Sequence, residues 1–248
     1  MEIPQSVRTE REGSVLVITL DRPQALNAIN RAMSQQLHDA FDQLEDDADL
    51  TVAVLTGTGR AFCAGSDLKE IHDRPAFADG LRNGNVTSLA RRQLAKPLIA
   101  AVNGIAFGGG MELVLASDLA VAAPTATFGL PEVRHGLVAA AGGLVRGPRQ
   151  LPMKVVLDLA LTGDPIDAER ALTWGLVSRV ADDPLAEALT MASTIAEHPA
   201  RDAVLTSRSA VHRGLDAFLE GDGGAWDVVE PDLMRVLLAG RAGGRAAG

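Results

Sequence analysis

Two glutamates, Glu112 and Glu132, stand in company where a charged side chain is unusual: GGGMELVLA surrounds the first and FGLPEV the second. Charged residues are seldom buried without a partner. Each is therefore a surface residue, a member of a buried ion pair, or a working carboxylate. Two carboxylates in one pocket push their pKa values apart, which permits one acid and one base near neutral pH. The glycine run Gly108–Gly110 lies between the apolar run Leu98–Val102 and the helix-like run that carries Glu112. Glycine lets a backbone approach a ligand closely. The first amides of a helix lack intrahelical partners and carry the positive end of its dipole, so this place suits a negative oxygen. The residues alone give an anion-stabilising loop with two candidate carboxylates.

Other chemistries are weaker. Residues 104–110 lack the Lys-Ser/Thr of a P-loop and do not space as G-x-G-x-x-G. Ser66 sits in Ala-Gly-Ser-Asp-Leu, whereas a nucleophile elbow needs G-x-S-x-G. Its backbone N–H is more useful than its hydroxyl. Cys63 reads as a small buried hydrophobe. The five histidines, His38, His72, His135, His198 and His212, show no metal-ligand spacing, and there is no CxxC, so no metal is expected.

The elements that would hold these residues follow from periodicity. Val15–Leu20, Val52–Thr56, Leu98–Val102 and Leu119–Ala122 are apolar, β-rich runs of strand length, and Ala126–Gly129 begins another. Asn30 is placed to cap a helix in which Met33, Leu37, Ala40, Phe41 and Leu44 recur at helical spacing to about Asp46. Ala61–Glu70 is too small and turn-prone at its centre to be regular. Residues 71–87 read as mobile with some helix, and 138–145 as a run of small residues. From Lys154 onward helices dominate, over Val155–Leu161, Asp167–Trp174, Leu185–Glu197 and Ala200–His212. The organisation is α/β, with a core over residues 1–190, a helical region over 191–240 and a disordered tail over 241–248.

Composition bounds the setting. A chain of 248 residues, 47% hydrophobic and 22% charged, supports one large globular domain or a domain with a helical appendage. With aromatics at 3%, the core must be Leu, Val, Ile and Ala. A net charge of −9 argues against nucleic-acid or anionic-membrane partners. The single cysteine excludes an intrachain disulfide and suits a reducing cytosol. The polar start MEIPQSVRTEREG lacks a signal peptide's apolar core, and no apolar run approaches the roughly 18 residues of a membrane span. A soluble, cytoplasmic protein is expected. Leu185, Leu189, Met191, Val204, Leu205 and Val211 make the helical part apolar enough to need partners, which predicts self-association.

Asn27-Ala28-Ile29-Asn30, the stretch Phe62–Glu70, Asn103-Gly104-x3-Gly108–Leu113 and Phe128-Gly129-x-Pro131-Glu132, with Leu161-Thr162-Gly163 and Ala168-Glu169-Arg170-Ala171-x3-Gly175-Leu176-Val177, resemble the crotonase (enoyl-CoA hydratase/isomerase) superfamily. The resemblance runs from about residue 7 to 215, in the family's order. It implies a crotonase-type spiral of repeated ββα units, then a helical trimerisation region, and so a homotrimer or a dimer of trimers. It implies an acyl-CoA thioester as ligand and no metal or redox cofactor, coenzyme A entering as part of the substrate. By position, the N–H groups of Ser66 and Gly109 form an oxyanion hole, where one donor is worth about 10²–10³ in rate. Ala25, Ala64, Ser66, Asp67, Leu68, Lys69 and Gly109 line the substrate site. Glu112 and Glu132 fall where hydratases carry both glutamates, which implies addition of water to a trans-2-enoyl-CoA. The alternatives are a Δ3-Δ2-enoyl-CoA isomerase working chiefly through Glu132, or a silent acyl-CoA-binding protein. The chain departs from the family at neutral Gln24, where a Lys or Arg is common. It departs again after Pro231–Leu238, where GRAGGRAAG replaces an A-F-x-E-K-R-like run, implying weaker CoA contacts.

Overall fold

The computed structural model describes residues 5–73, 92–219 and 230–235. Residues 74–87 of the segment expected to be mobile, residues 236–238 of the last apolar run, and the tail from 240 to 248 lie outside the described residues.

The strands are β1 (Val7–Glu12), β2 (Val15–Leu20), β3 (Val52–Gly57), β4 (Ala61–Cys63), β5 (Leu98–Val102), β6 (Ile105–Phe107), β7 (Leu119–Ala122), β8 (Thr127–Gly129), β9 (Ile166–Asp167) and β10 (Arg179–Val180). They form a larger sheet ordered β1-β2-β3-β5-β7-β10 and a smaller one ordered β4-β6-β8-β9. Every pairing is parallel except β1 with β2 and β8 with β9. Three successive pairs, β3–β4, β5–β6 and β7–β8, each place their first strand in the larger sheet and their second in the smaller. Repeating that step winds the chain into a spiral, as the resemblance implies.

The larger sheet is covered on both faces, and so its strands are apolar without alternation. On one side lies α1 (Arg31–Asp46), which buries Met33, Leu37, Phe41 and Leu44 against Leu16, Ile18, Ala53 and Leu55. Asn30 caps it as expected, its Oδ1 accepting the Met33 N–H at 2.9 Å. On the other side α7 (Pro184–Ala196) packs Ala188, Met191 and Ala192 on Val15, Val52, Val54, Ile99 and Val121. Residue 190 thus falls inside one continuous helix packed on the sheet.

Further helices are α2 (Leu68–Asp73), α3 (Gly109–Ala116), α4 (Gly143–Gln150), α5 (Met153–Thr162), α6 (Ala168–Thr173) and α8 (Arg201–Leu219), residues 230–235 are helical too, and 3-10 turns lie at Pro23–Ala25 and Pro131–His135. No helix among the described residues is long and apolar enough to cross a membrane.

Three expectations need correction. The stretch 61–70 is irregular only over Ala64–Asp67, between β4 and α2. The back of the chain is not purely helical, because β9 and β10 return to the two sheets. The apolar residues from which self-association was argued are largely satisfied within the chain. Leu185 and Leu189 pack beside Met191 on the larger sheet, and Val204 and Leu205 are half-buried. Of that set Val211 is exposed; other exposed apolar surface lies on α5, at Met153, Leu157 and Leu161.

Candidate active site

The smaller sheet positions the site. Its parallel strands β4, β6 and β8 lie side by side, with Cys63 opposite Ala106 and Phe107 opposite Gly129. Their carboxyl ends therefore release three loops next to one another, and ligands of parallel sheets gather at that end. After β4 comes Ala64-Gly65-Ser66, after β6 Gly108 and the start of α3, and after β8 Leu130-Pro131-Glu132. Residues far apart in sequence meet because their strands are neighbours.

The first two loops touch through backbone. Gly65 has φ +96°, and a Cβ there would lie 2.9 Å from the Phe107 carbonyl and 3.2 Å from the Gly109 nitrogen. Only glycine permits both that conformation and that approach. Ser66 forms a parallel bridge with Ile29, in which the neighbouring groups bond: Ile29 N–H to Gly65 O at 2.7 Å, and Asp67 N–H to Ile29 O at 2.9 Å. This turns the N–H of Ser66 itself away from Ile29. Neither it nor the Gly109 N–H, which opens α3, has a partner among the described residues. The two amides lie on adjoining backbones, at the positions where an oxyanion hole was expected.

Glu112 lies in the first turn of α3 and is 4% exposed. Its Oε1 accepts two hydrogen bonds, from Ala141 N–H and Gly143 N–H, each 2.8 Å. Burial pushes its pKa up to about 7; the Gly143 amide opposes this, the Glu132 charge adds to it, and the Ala141 amide and the Arg146 charge oppose it. Glu132, in the 3-10 turn after β8, lies against the Gly108 backbone, its Oε1 3.0 Å from where a Gly108 Cβ would be. Its Oε2 is buried and has no hydrogen-bond partner among the described residues. Burial raises its pKa too, against a hydrogen bond from its own backbone N–H. The structure thus brings together Ser66, Gly109, Glu112 and Glu132.

The other expected site residues fall around this centre. The Ala64 N–H bonds Leu26 O at 3.0 Å, which seats the turn containing Ala25 beside it. Ala25, Ala64, Ser66, Asp67 and Leu68 are half-buried, while Lys69 and Gln24 are exposed. Asp67 pairs with Arg22 at 3.2 Å and its other oxygen accepts the Lys69 N–H, so its carboxylate braces the loop. Cys63 is fully buried, which pushes its thiol to about 12 and makes it inert.

Sequence reasoning missed three supports. Buried Asn27 accepts the Arg22 N–H at 2.8 Å and donates to Thr58 O at 2.9 Å and Ala61 O at 2.8 Å, tying the Ala25 turn to β4. Its quoted motif was the available signal. Ala141 and Gly143 act through backbone N–H groups, which no residue type announces. Among the described residues no group of three or more His, Cys, Asp or Glu could hold a metal ion. A cleft of about 1250 Å³ opens on the far side of α3, between α4 and α8, and holds Asp118, Arg208 and His212 but neither glutamate.

A spiral of paired parallel strands, with two amides, one buried and one half-buried carboxylate at the ends of the smaller sheet, defines a crotonase-type α/β protein. Residues 10–221 match the family model described as enoyl-CoA hydratase/isomerase, and the chain belongs to that family. It is 40% identical over 218 residues to a protein of Mycobacterium bovis named "Probable enoyl-CoA hydratase", covering 87% of this chain and 84% of that one. It is 46% identical over 178 residues to the carnitinyl-CoA dehydratase of Salmonella arizonae, covering 71% and 68% respectively. The crystal structure of an enoyl-CoA hydratase from Mycobacterium tuberculosis superimposes with a TM-score of 0.78 at 42% identity, covering 89% of this chain and 88% of that one.

Proposed function

We propose that the protein is an enoyl-CoA hydratase, adding water across the double bond of a trans-2-enoyl-CoA to give a 3-hydroxyacyl-CoA. The observation that carries this reading is the pairing of buried Glu112 with half-buried Glu132, both raised in pKa, beside the Ser66 and Gly109 amides that have no partner among the described residues. In this reading the two N–H groups hold the thioester oxygen, where negative charge develops as the enolate forms. Ionised Glu112 takes a proton from water as its oxygen bonds to C3, and protonated Glu132 gives a proton to C2. The next water returns the proton from Glu112 to Glu132. The thioester is itself the electron sink, so the scheme calls for no metal or redox cofactor.

The test is loss of the absorbance of a conjugated enoyl-CoA on mixing, over thioesters of graded length. No loss with any of them would overturn the reading, and shuttling of a 3-enoyl-CoA alone would favour the isomerase. A second reading keeps the chemistry and changes the acyl group: the 46% identity to a carnitinyl-CoA dehydratase favours a polar, substituted acyl-CoA interconverted by loss or gain of water. Polar 3-hydroxyacyl thioesters in the same panel separate the two. The proposal extends to a cytoplasmic homotrimer, alone or paired as a hexamer. It is supported by the stripe on α5 formed by Met153, Leu157 and Leu161, which are 59%, 47% and 72% exposed. Exposed apolar stripes of this kind are uncommon on monomers. Sedimentation as a single monomeric species at micromolar concentration would refute it.

A further inference from the structure

The turn that leads into α4, Ala141 to Gly143, carries no side chain with catalytic chemistry, yet it makes the only hydrogen bonds to the Glu112 carboxylate among the described residues. Both arrive at the same oxygen. An ionised carboxyl oxygen offers two lone pairs, and the N–H groups of Ala141 and Gly143 occupy both of those on Oε1. The residue between them, Gly142, has φ +108°, a conformation that turns flanking amides toward one point. The positive end of α4 starts there as well.

The fit depends on Gly143. A Cβ there would lie 3.0 Å from Glu112 Cγ, 3.1 Å from its Oε1 and 3.4 Å from Leu130 Cδ2. A methyl group would meet the carboxylate arm on one side and the loop leading to Glu132 on the other. The absence of a side chain at 143 is what lets the amide and the carboxylate come into contact.

We propose that the backbone N–H groups of Ala141 and Gly143 clamp the Glu112 carboxylate by Oε1 alone, leaving Oε2 to take and return the proton of water, and that Gly143 is a positioning residue for this exchange. The inference rests on the hydratase reading for its catalytic meaning, but the clamp itself does not. Anchoring one oxygen fixes the direction of the other, which a single-bonded carboxylate could swing away. The two donors also favour the ionised form, against the burial that disfavours it.

Infrared difference spectra of the full chain, recorded across pH and compared with Glu112→Gln, isolate the carboxyl band of Glu112. The expected band lies at the low-frequency, strongly hydrogen-bonded end of the carboxylic range and titrates near pH 7. In Gly143→Ala it should move to higher frequency and its midpoint upward by about one pH unit, because donors to the anion are lost. Where turnover is measurable, kcat should fall about 10-fold to 100-fold with the same upward move in its acid limb, KM changing little. A native band at the frequency of an unbonded carboxyl overturns the clamp even if Gly143→Ala fails to fold. An unmoved midpoint in a folded Gly143→Ala overturns the role of Gly143. A protein that hydrates no enoyl-CoA overturns the function, while the infrared band still decides the clamp.

Discussion

Glu112 and Asp118 bracket the same short helix, both are largely shielded from water, and they are treated in opposite ways. Asp118 is surrounded by donors: Arg208 Nε and the Leu98 N–H share Oδ2 at 2.8 and 2.9 Å, and His212 Nε2 lies 2.8 Å from Oδ1. Burial alone would raise its pKa, but the bonds from His212 and Arg208, the Arg208 charge and the Leu98 amide hold it below its ordinary value. Glu112 has two amides on one oxygen, no hydrogen-bonded cation among the described residues, and a second carboxylate nearby, and its pKa rises. A buried charge that is fully paired ties elements together, here β5, β7 and α8. One left under-paired stays close to its proton. That difference, more than burial or residue type, separates the latch from the site.

The largest effect should come from removing the under-paired charges. Glu112→Gln and Glu132→Gln should each lower hydration by three or more orders of magnitude while the protein keeps its fold and its acyl-CoA binding. Their effects should not add, because residues acting as a unit are strongly non-additive. Single-turnover rates and thermal melts of both variants and the double variant measure this. A Glu112→Gln protein that melts well below the native one would mean that Glu112 is structural after all. Asp118→Asn is the mirror experiment. It should leave turnover per folded molecule unchanged and cost about 2–3 kcal/mol, the scale of hydrogen bonds to a charged group, read by chemical denaturation. Loss of activity without loss of stability would place Asp118 on the wrong side of the comparison.

The two regions were unequally legible in the sequence, for physical reasons. Strands buried on both faces announce themselves as apolar runs, so β2, β3, β5 and β7 were found with nearly the right ends. Edge strand β1, VRTERE, is exposed along most of its length and carries almost no apolar signal. Strand β6 has three residues, and α4 holds two glycines and Pro148, so neither has a period long enough to read. The short strands are the ones that aim the site. Glu112 and Glu132 could be picked out because a carboxylate among apolar neighbours is anomalous wherever it lies. Their supports could not, because Ala141 and Gly143 work through amides that every residue owns. The Asp118 latch was missed for a different reason: its partners lie 90 and 94 positions away on α8.

Dependence of stability on pH should carry opposite signs in the two regions. The folded protein holds Glu112 at about 7 against an ordinary value of 4.5, so it favours the protonated form. Its contribution is complete below about 4.5 and is lost as pH rises toward 7, by at most roughly 3–4 kcal/mol at 1.4 kcal/mol per unit. Glu132 acts in the same direction. Asp118 is held below its ordinary 3.8, so its contribution is present above that value and is lost as pH falls through the folded-state pKa. Denaturation midpoints between pH 3 and 8 should flatten on the neutral side in Glu112→Gln and on the acid side in Asp118→Asn. The two variants flattening the same side would break the comparison.

The smallest effect divides the latch itself. Arg208 and His212 both reach Asp118, but their side chains are 17% and 52% exposed, so water screens the second contact far more than the first. Arg208 also donates to the Leu94 carbonyl, which joins α8 to the entry of β5, while among the described residues His212 hydrogen-bonds Asp118 alone. An ion pair in contact with solvent contributes about 0–1 kcal/mol. His212→Gln should therefore lower stability by less than about 1 kcal/mol, and Arg208→Gln should cost more than that. Neither change should alter turnover per folded molecule. Equilibrium unfolding of the two single variants and the double variant measures both costs and their coupling. If His212→Gln proves as costly as Arg208→Gln, the latch is held equally from both sides, and shielding from water is not what ranks its contacts.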